Sequence, residues 1–191
     1  MPWWSLAALT ISLVVAPPLG AEEAREAWNA LVQGGHVALI RHGNAPPGFG
    51  GDPPGVRLDD CKTQRNLDDK GRAQGMALGE AFRRHGVRVD RVVSSPMCRC
   101  MDTATLMAVG QVESSSALLP DRDPNAPVRL RQLKAIVSGW RGPGTLVLMT
   151  HGFTIRPMIG IIPDQAETLV LRPTPGIEPG ASVVGRIAPP Q

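Results

Sequence analysis

Short apolar runs, separated by polar stretches rich in Gly and Pro, set the pattern of this chain. Runs of this kind, bounded by glycine or polar residues, predict buried strands. Three of them are Val37–Ile40, Val89–Val93 and Thr145–Met149. Two further runs, Glu167–Leu171 and Ala181–Ile187, predict strands at an antiparallel edge. The predicted sheet is therefore mostly parallel, with one antiparallel side.

Between the strands, apolar residues recur at the spacing of amphipathic helices. The predicted helices span residues 24–33, 67–85, 97–109, 128–140 and 154–162. Pro157 breaks the last of these, and residues 114–127 are predicted to be irregular. No repeat and no second domain is visible in the pattern. The alternation of strands and helices therefore predicts an α/β fold, a three-layer α/β/α sandwich.

Basic and imidazole side chains follow the strands of the predicted sheet. Arg41 and His42 come directly after the first strand. Arg99 lies shortly after the second strand, and His151 follows the third. Because ligands bind at the carboxyl ends of strands in open α/β sheets, adjacent strands would bring these side chains into one crevice. Guanidinium groups match phosphate oxygens and a neutral imidazole is a competent nucleophile, so the crevice suits phosphate or a polycarboxylate.

Three motifs, each placed after a predicted strand, resemble those of the histidine phosphatase superfamily, the phosphoglycerate-mutase-like group. They are Arg41–Gly43, Ser94–Arg99 and Thr150–Gly152, and the resemblance extends over roughly residues 37–187. A single histidine at a strand end is more often structural than catalytic, but three motifs in this order favour a functional interpretation. The resemblance implies a phosphoglycerate-mutase-like fold and a phosphoric ester hydrolase that needs no metal and no cofactor.

The same resemblance assigns roles to individual residues. His42 is implied to be the nucleophile that becomes phosphohistidine. Arg41 and Arg99 would hold the phosphoryl oxygens, with His151 as a further ligand. Asn44 stands where the family often has a polar residue that contacts phosphate, so it is expected to bind substrate.

Two parts of this chemistry depend on neighbouring groups. A neutral His42 needs a hydrogen bond at its second nitrogen, and the backbone near Gly43 is a candidate acceptor. The leaving oxygen needs a proton from a general acid. Some relatives carry an Asp directly after the late histidine, where this chain has Gly152. The remaining candidates are Glu113, Asp121 and Asp123.

The first 21 residues have an apolar core followed by Pro-Pro and small residues, and they are predicted to be a signal peptide. Residues 22–191 would then form the histidine phosphatase-like domain. No Lys or Arg precedes the apolar core, so an uncleaved anchor is the rival interpretation. The signal peptide predicts a periplasmic or secreted protein with no stable membrane insertion after cleavage.

The charge of the chain bears on its partners. Formal net charge is +3, and no Lys/Arg run is long enough to suggest a nucleic-acid surface. There is no Tyr and there are only 3 Phe, so base-stacking platforms are not expected either. The expected partner is a phosphorylated small molecule or a cell-envelope component, and no nucleic acid.

Three cysteines allow at most one disulfide. We favour a bond between Cys61 and Cys98, because an exported protein meets an oxidising compartment. Cys98 and Cys100 lie two residues apart, which places them on different faces of a helix. No Cys-x-x-Cys or His-x-x-x-His spacing supports a metal site.

Three functions remain open at this point. The first is a phosphatase acting through a phosphohistidine intermediate on His42. The second is a phosphomutase, against which export argues because central metabolites are cytoplasmic. The third is a phosphate-binding module with little turnover, which an absent general acid would favour. Without an acid, phosphoramidates, acyl phosphates or pyrophosphates are the preferred substrates, since their leaving groups need less protonation.

Overall fold

The computed structural model of the protein describes residues 1, 19–46, 51–120 and 124–190. A six-stranded sheet lies between two layers of helices, as the sequence predicts. The helices are α1 (Leu19–Gln33), α2 (Asp69–Arg84), α3 (Cys98–Met107), α4 (Ala126–Ser138) and α5 (Gly152–Ile159). The strands are β1 (Val37–Arg41), β2 (Val89–Ser94), β3 (Val112–Ser114), β4 (Thr145–Thr150), β5 (Thr168–Pro173) and β6 (Ala181–Ile187).

The strand order is β3-β2-β4-β1-β5-β6. β2, β4 and β1 are parallel neighbours, and β3 adds a parallel edge beside β2. β5 and β6 complete the sheet in the antiparallel sense on the other side. The three strands that lead into the predicted site therefore lie side by side, and their carboxyl ends meet at one edge. The prediction of a mostly parallel sheet with an antiparallel side is confirmed.

Alternate residues of the central strands enter two separate cores. In β1, Ala38 and Ile40 join the core beneath α1, α2 and α3. Val37 and Leu39 point to the opposite face and join the core beneath α4 and α5. All six residues of β4 are buried, which is expected of a strand covered on both faces.

The structure differs from the predicted elements at several boundaries. α3 ends at Met107 because Ala108 takes the left-handed conformation, φ 49°. α5 begins earlier than predicted and continues through Pro157, since one lost hydrogen bond near the end of a short helix is tolerated. β3 was not predicted, because Val112 is its single apolar residue.

The predicted signal peptide lies largely outside the described residues, which omit 2–18. α1 starts at Leu19 rather than at the predicted Ala24. Among the residues that the structure describes, no helix is both long enough and apolar enough to span a membrane.

Glycines on one face of α2 let this helix approach its neighbours closely. They recur every fourth residue, at Gly71, Gly75 and Gly79, and all three are buried. A Cβ atom at Gly79 would lie 1.8 Å from the carbonyl oxygen of Met107 in α3. α2 and α3 therefore pack with their backbones almost in contact, an arrangement that a larger residue at position 79 would prevent.

We expect Gly79→Ala to destabilise the protein by about 2 kcal/mol or more, because the added methyl meets fixed backbone and overpacking outweighs the gain in helix propensity. Gly75→Ala is the matched control: its Cβ would meet the side chain of Leu106 at 3.0 Å, and its effect should stay within about 1 kcal/mol. Urea unfolding of both variants measures the difference. Equal effects would contradict the close approach at Gly79.

Candidate active site

A cavity of about 260 Å³ opens at the carboxyl edge of β1, β2 and β4. The structure brings four of the predicted site residues together in its wall: Arg41, His42, Arg99 and His151. The other residues that line it are Gly51, Asp52, Arg65, Pro120, Gly152, Phe153 and Ile162. The cavity therefore joins a strongly basic floor to a rim that carries apolar side chains.

His42 is buried directly after β1, with one ring nitrogen tied to the backbone. Its Nδ1 lies 2.8 Å from the carbonyl oxygen of Gly43. A carbonyl accepts only, so Nδ1 carries the proton and Nε2 keeps its lone pair. That lone pair accepts a hydrogen bond from Arg99 Nε at 3.3 Å. The acceptor predicted near Gly43 is confirmed, and the imidazole has the tautomer that a nucleophile requires.

The charge state of His42 follows from its surroundings. Burial first, and then the guanidinium of Arg99, lowers the pKa of His42 from 6.5 to about 3. The Gly43 carbonyl opposes this shift without cancelling it. His42 is therefore a neutral imidazole near pH 7.

His151 follows β4 and faces His42, with the two ring centroids 5.3 Å apart. Its Nδ1 lies 3.3 Å from Arg99 Nη2, and its Nε2 lies 2.9 Å from the hydroxyl of Ser95. A guanidinium only donates, so Nδ1 accepts and Nε2 donates to Ser95. Burial, followed by His42 and Arg99, lowers the pKa of His151 well below its usual value. The two histidines thus direct Nε2 of His42 and Nδ1 of His151 toward the same guanidinium.

Arg99, at the start of α3, connects both histidines to a loop over the cavity. Its Nη1 and Nη2 donate to the two carboxylate oxygens of Asp52 at 2.7 and 3.0 Å. Nη1 also donates to the carbonyl oxygen of Arg65 at 3.3 Å. Asp52 is a cavity residue that the sequence did not single out. It lies in a Gly- and Pro-rich stretch where charged residues are usually solvated, so no pattern marked it. Arg65 is a second charged loop residue in the cavity wall.

Arg41 occupies the other side of the cavity floor. Its Nη1 donates to the carbonyl oxygen of Pro163 at 2.7 Å, which fixes the direction of the side chain. Its Nε is buried and has no hydrogen-bond partner among the residues that the structure describes. Burial lowers the pKa of Arg41 from its ordinary value. An anion in the cavity would give this buried donor an acceptor.

The loop that carries Arg65 is fastened next to Arg99. Cys61 and Cys98 form a disulfide, which is the pairing favoured from the sequence. The backbone N–H of Cys98 also donates to the side-chain oxygen of Gln64 at 2.8 Å. Cys100 is free and buried, with its Sγ 3.5 Å from Nε2 of His151. Burial raises the pKa of the Cys100 thiol to about 12, so this sulfur remains protonated.

Asn44 is not brought to the cavity with the other four predicted residues. Its side-chain amide donates to Asp68 Oδ2 at 2.6 Å. Asp68 is the N-cap of α2 and accepts from the backbone N–H of Gly71 at 2.8 Å. The structure therefore gives Asn44 a place beside the start of α2, where it braces the capping carboxylate.

Of the predicted general acids, the structure describes Glu113, which does not line the cavity. Glu113 lies on the edge strand β3 and pairs with Arg91, at 2.7 Å between Oε2 and Nη2. This hydrogen bond lowers the pKa of Glu113, which favours the ionised form. Asp121 and Asp123 lie outside the described residues. Asp52 is the one carboxylate among the described residues that line the cavity.

Within the described part of the chain, no three His, Cys, Asp or Glu side chains come together in a group that could hold a metal ion.

Residues 37–118, which carry the first two motifs and both anchors of the disulfide, match the family model described as histidine phosphatase superfamily (branch 1). The third motif, with His151, lies beyond the matched residues and is brought to the same cavity by β4. The chain is similar to this superfamily over those 82 of its 191 residues.

Individual relatives are more distant. The mitochondrial serine/threonine-protein phosphatase Pgam5 of Drosophila virilis is 30% identical over 84 residues, which are 44% of this chain and 25% of that protein. The chain thus matches about a quarter of that relative's length.

Solved structures share the fold. The protein histidine phosphatase SixA, determined with tungstate, superposes with a TM-score of 0.58 at 17% identity, over 81% of this chain and 97% of that one. A mycobacterial glucosyl-3-phosphoglycerate phosphatase, determined with VO3, superposes with a TM-score of 0.51 at 16% identity, over 71% of this chain and 92% of that one.

We expect the stability of the protein to fall as pH drops below about 6.5. An unfolded His42 takes up a proton there, whereas the folded imidazole stays neutral until about pH 3. Between pH 7.5 and pH 5, the free energy of unfolding should therefore fall by about 2 kcal/mol more in wild type than in His42→Asn. His85→Asn, at a surface position against Trp28, is the control and should keep the wild-type difference. Identical pH dependence in all three proteins would contradict the neutral His42.

Proposed function

We propose that this protein is a metal-independent phosphatase that hydrolyses a phosphomonoester, or a related phosphorylated metabolite, through a phosphohistidine intermediate on His42. One observation carries the proposal: the unprotonated Nε2 of His42, the side chain of Arg99 and Nδ1 of His151 converge in one basic cavity. Phosphoryl transfer depends mainly on positioning and on neutralising charge at the phosphoryl oxygens. These side chains provide both.

The reaction would run in two displacements at phosphorus. His42 Nε2 attacks the phosphoryl group, forming a P–N bond, and the bond to the leaving group breaks with its electron pair on the departing atom. A water molecule then attacks the phosphohistidine, which releases inorganic phosphate and returns the electron pair to Nε2. Arg41 and Arg99 would hold the phosphoryl oxygens throughout. His151, whose Nδ1 accepts from Arg99 in the resting site, would join them only with the proton moved to Nδ1.

The leaving group determines whether a proton is needed at departure. Asp52 accepts two hydrogen bonds from Arg99, so this carboxylate is engaged before any substrate arrives. At Gly152, a Cβ would meet Cγ2 of Ile162 at 2.6 Å, and Ile162 fills the space that an acidic side chain would need. Substrates whose leaving groups need little protonation are therefore favoured, such as phosphoramidates, acyl phosphates and pyrophosphates.

Two observations support further parts of the proposal. The Cys61–Cys98 disulfide fits an oxidising compartment, in keeping with a periplasmic or secreted protein acting on a small metabolite or a cell-envelope component. The oxyanions tungstate and VO3 accompany two structures of the same fold. The alternative is a phosphate-binding module with little turnover. It is favoured if Asp52, already hydrogen-bonded to Arg99, supplies no proton to the leaving group. A phosphomutase would instead retain its phosphohistidine and return the phosphoryl group to the product.

Wild-type protein should hydrolyse an aryl phosphate in the presence of excess chelator, because the cavity supplies the nucleophile and the charge neutralisation. His42→Ala should lower kcat by on the order of a thousandfold or more, since the intermediate cannot form. His85→Ala removes a surface imidazole and should leave kcat unchanged. Acid-quenched wild type should carry an acid-labile phosphoryl group that His42→Ala lacks.

Equal turnover in wild type and His42→Ala would refute the role of His42. Vanadate binding without hydrolysis of aryl phosphate or phosphoramidate would favour the binding module. Transfer of the phosphoryl group to an added alcohol product rather than to water would favour the mutase.

A further inference from the structure

We propose that Asp52 is a positioning residue: its carboxylate holds the end of the Arg99 guanidinium so that the adjacent side edge, Nε and Nη2, faces the phosphoryl group. The inference rests on the proposed function, because it assigns that edge to the substrate. Asp52 lies outside every motif of the sequence and reaches the cavity from the loop after β1.

The guanidinium of Arg99 has two donor edges, and each edge has different hydrogen-bond partners. The end edge, formed by Nη1 and Nη2, is fully taken by Asp52 at 2.7 and 3.0 Å. The side edge, formed by Nε and Nη2, faces His42 Nε2 and His151 Nδ1, each at 3.3 Å. Nη2 has two hydrogens and serves both edges. A bidentate carboxylate fixes the plane of the group, so Asp52 determines where the side edge points.

Asp52 is itself held in place. It follows Gly51, whose φ of 143° directs the chain toward the cavity. Its Oδ1 accepts the backbone N–H of Arg65 at 3.2 Å, while the carbonyl oxygen of Arg65 accepts from Arg99. The carboxylate, one backbone N–H and one carbonyl thus form a frame around the end edge. The disulfide at Cys98 fastens that frame one residue from Arg99.

Charge balance explains why Asp52 can stay in place when an anion binds. Among the described residues that line the cavity, three are arginines, one is a carboxylate and two are neutral histidines. The resting cavity therefore has two net positive charges, which match a dianionic phosphoryl group. Asp52 also gives the buried Arg99 a counter-charge before substrate arrives, which a buried charge requires.

The test compares Asp52→Asn and Asp52→Glu with wild type, and Asp59→Asn is the control. Asp59 is an exposed carboxylate of the same loop that pairs with Arg57 at 3.7 Å. Vanadate affinity is measured by calorimetry in each protein and again in the His42→Ala background. kcat and KM are measured for an aryl phosphate and for an alkyl phosphate. Thermal unfolding of each variant establishes that it is folded.

Asp52→Asn should weaken vanadate binding about tenfold in both backgrounds, because Arg99 loses its orientation. The loss in kcat/KM should be similar for the aryl and alkyl substrates, because a residue that only positions Arg99 gives no proton to the leaving group. Asp52→Glu should recover part of the affinity, and Asp59→Asn should match wild type. A weaker affinity in Asp52→Asn that Asp52→Glu does not improve would indicate loop damage and would overturn the proposal.

Other outcomes contradict it in distinguishable ways. A loss confined to the alkyl phosphate would make Asp52 a general acid. Tighter vanadate binding in Asp52→Asn would mean that the carboxylate competes with phosphate for Arg99. Unchanged vanadate affinity and turnover in Asp52→Asn would show that the Asp52–Arg99 contact is an ion pair without a positioning role. If wild type binds vanadate without turnover, the proposed phosphatase activity is refuted, and the vanadate affinities of the Asp52 variants still test the role of Asp52. If wild type binds no vanadate, both the proposed function and the role of Asp52 are refuted.

Discussion

A buried guanidinium shared between one carboxylate and two imidazoles is the interaction on which the cavity depends. Arg99 begins α3, yet its side chain contacts groups that follow β1 and β4 and a group from the loop over the cavity. The positive charge of Arg99 also helps to keep His42 and His151 neutral. The same contact therefore fixes the orientation of His42 and adds to the effect of burial in lowering its pKa.

The sheet and the four basic residues could be predicted from the sequence because both follow from local pattern. A buried strand is marked by an apolar run of limited length. The residue that follows the run lies at the carboxyl edge of the sheet, independently of the rest of the chain. Arg41 and His151 were located by that rule. The backbone acceptor for His42 could also be anticipated, since a neutral nucleophilic imidazole needs one and Gly43 is the next residue.

Asp52 could not be predicted, because its contacts depend on how a loop without regular periodicity folds back over α3. The place of Asn44 also depends on a tertiary contact. Its position shortly after His42 resembles that of a phosphate ligand, and the capping carboxylate of Asp68 comes close enough to accept a hydrogen bond from its amide. The edge strand β3 was missed because three residues with one apolar side chain carry no alternation. Each of these features is set by tertiary contacts rather than by local pattern.

The disulfide between Cys61 and Cys98 has a consequence for affinity. A loop with few buried apolar residues would ordinarily lose its freedom when a ligand arrives, and that loss would weaken binding. Here the cross-link joins Cys61 of that loop to Cys98, 37 residues further along the chain, and ties the loop beside Arg99. The wall of the cavity is thus preorganised before any anion enters. Substrate binding energy is left for the reacting phosphoryl group rather than for arranging the protein around it.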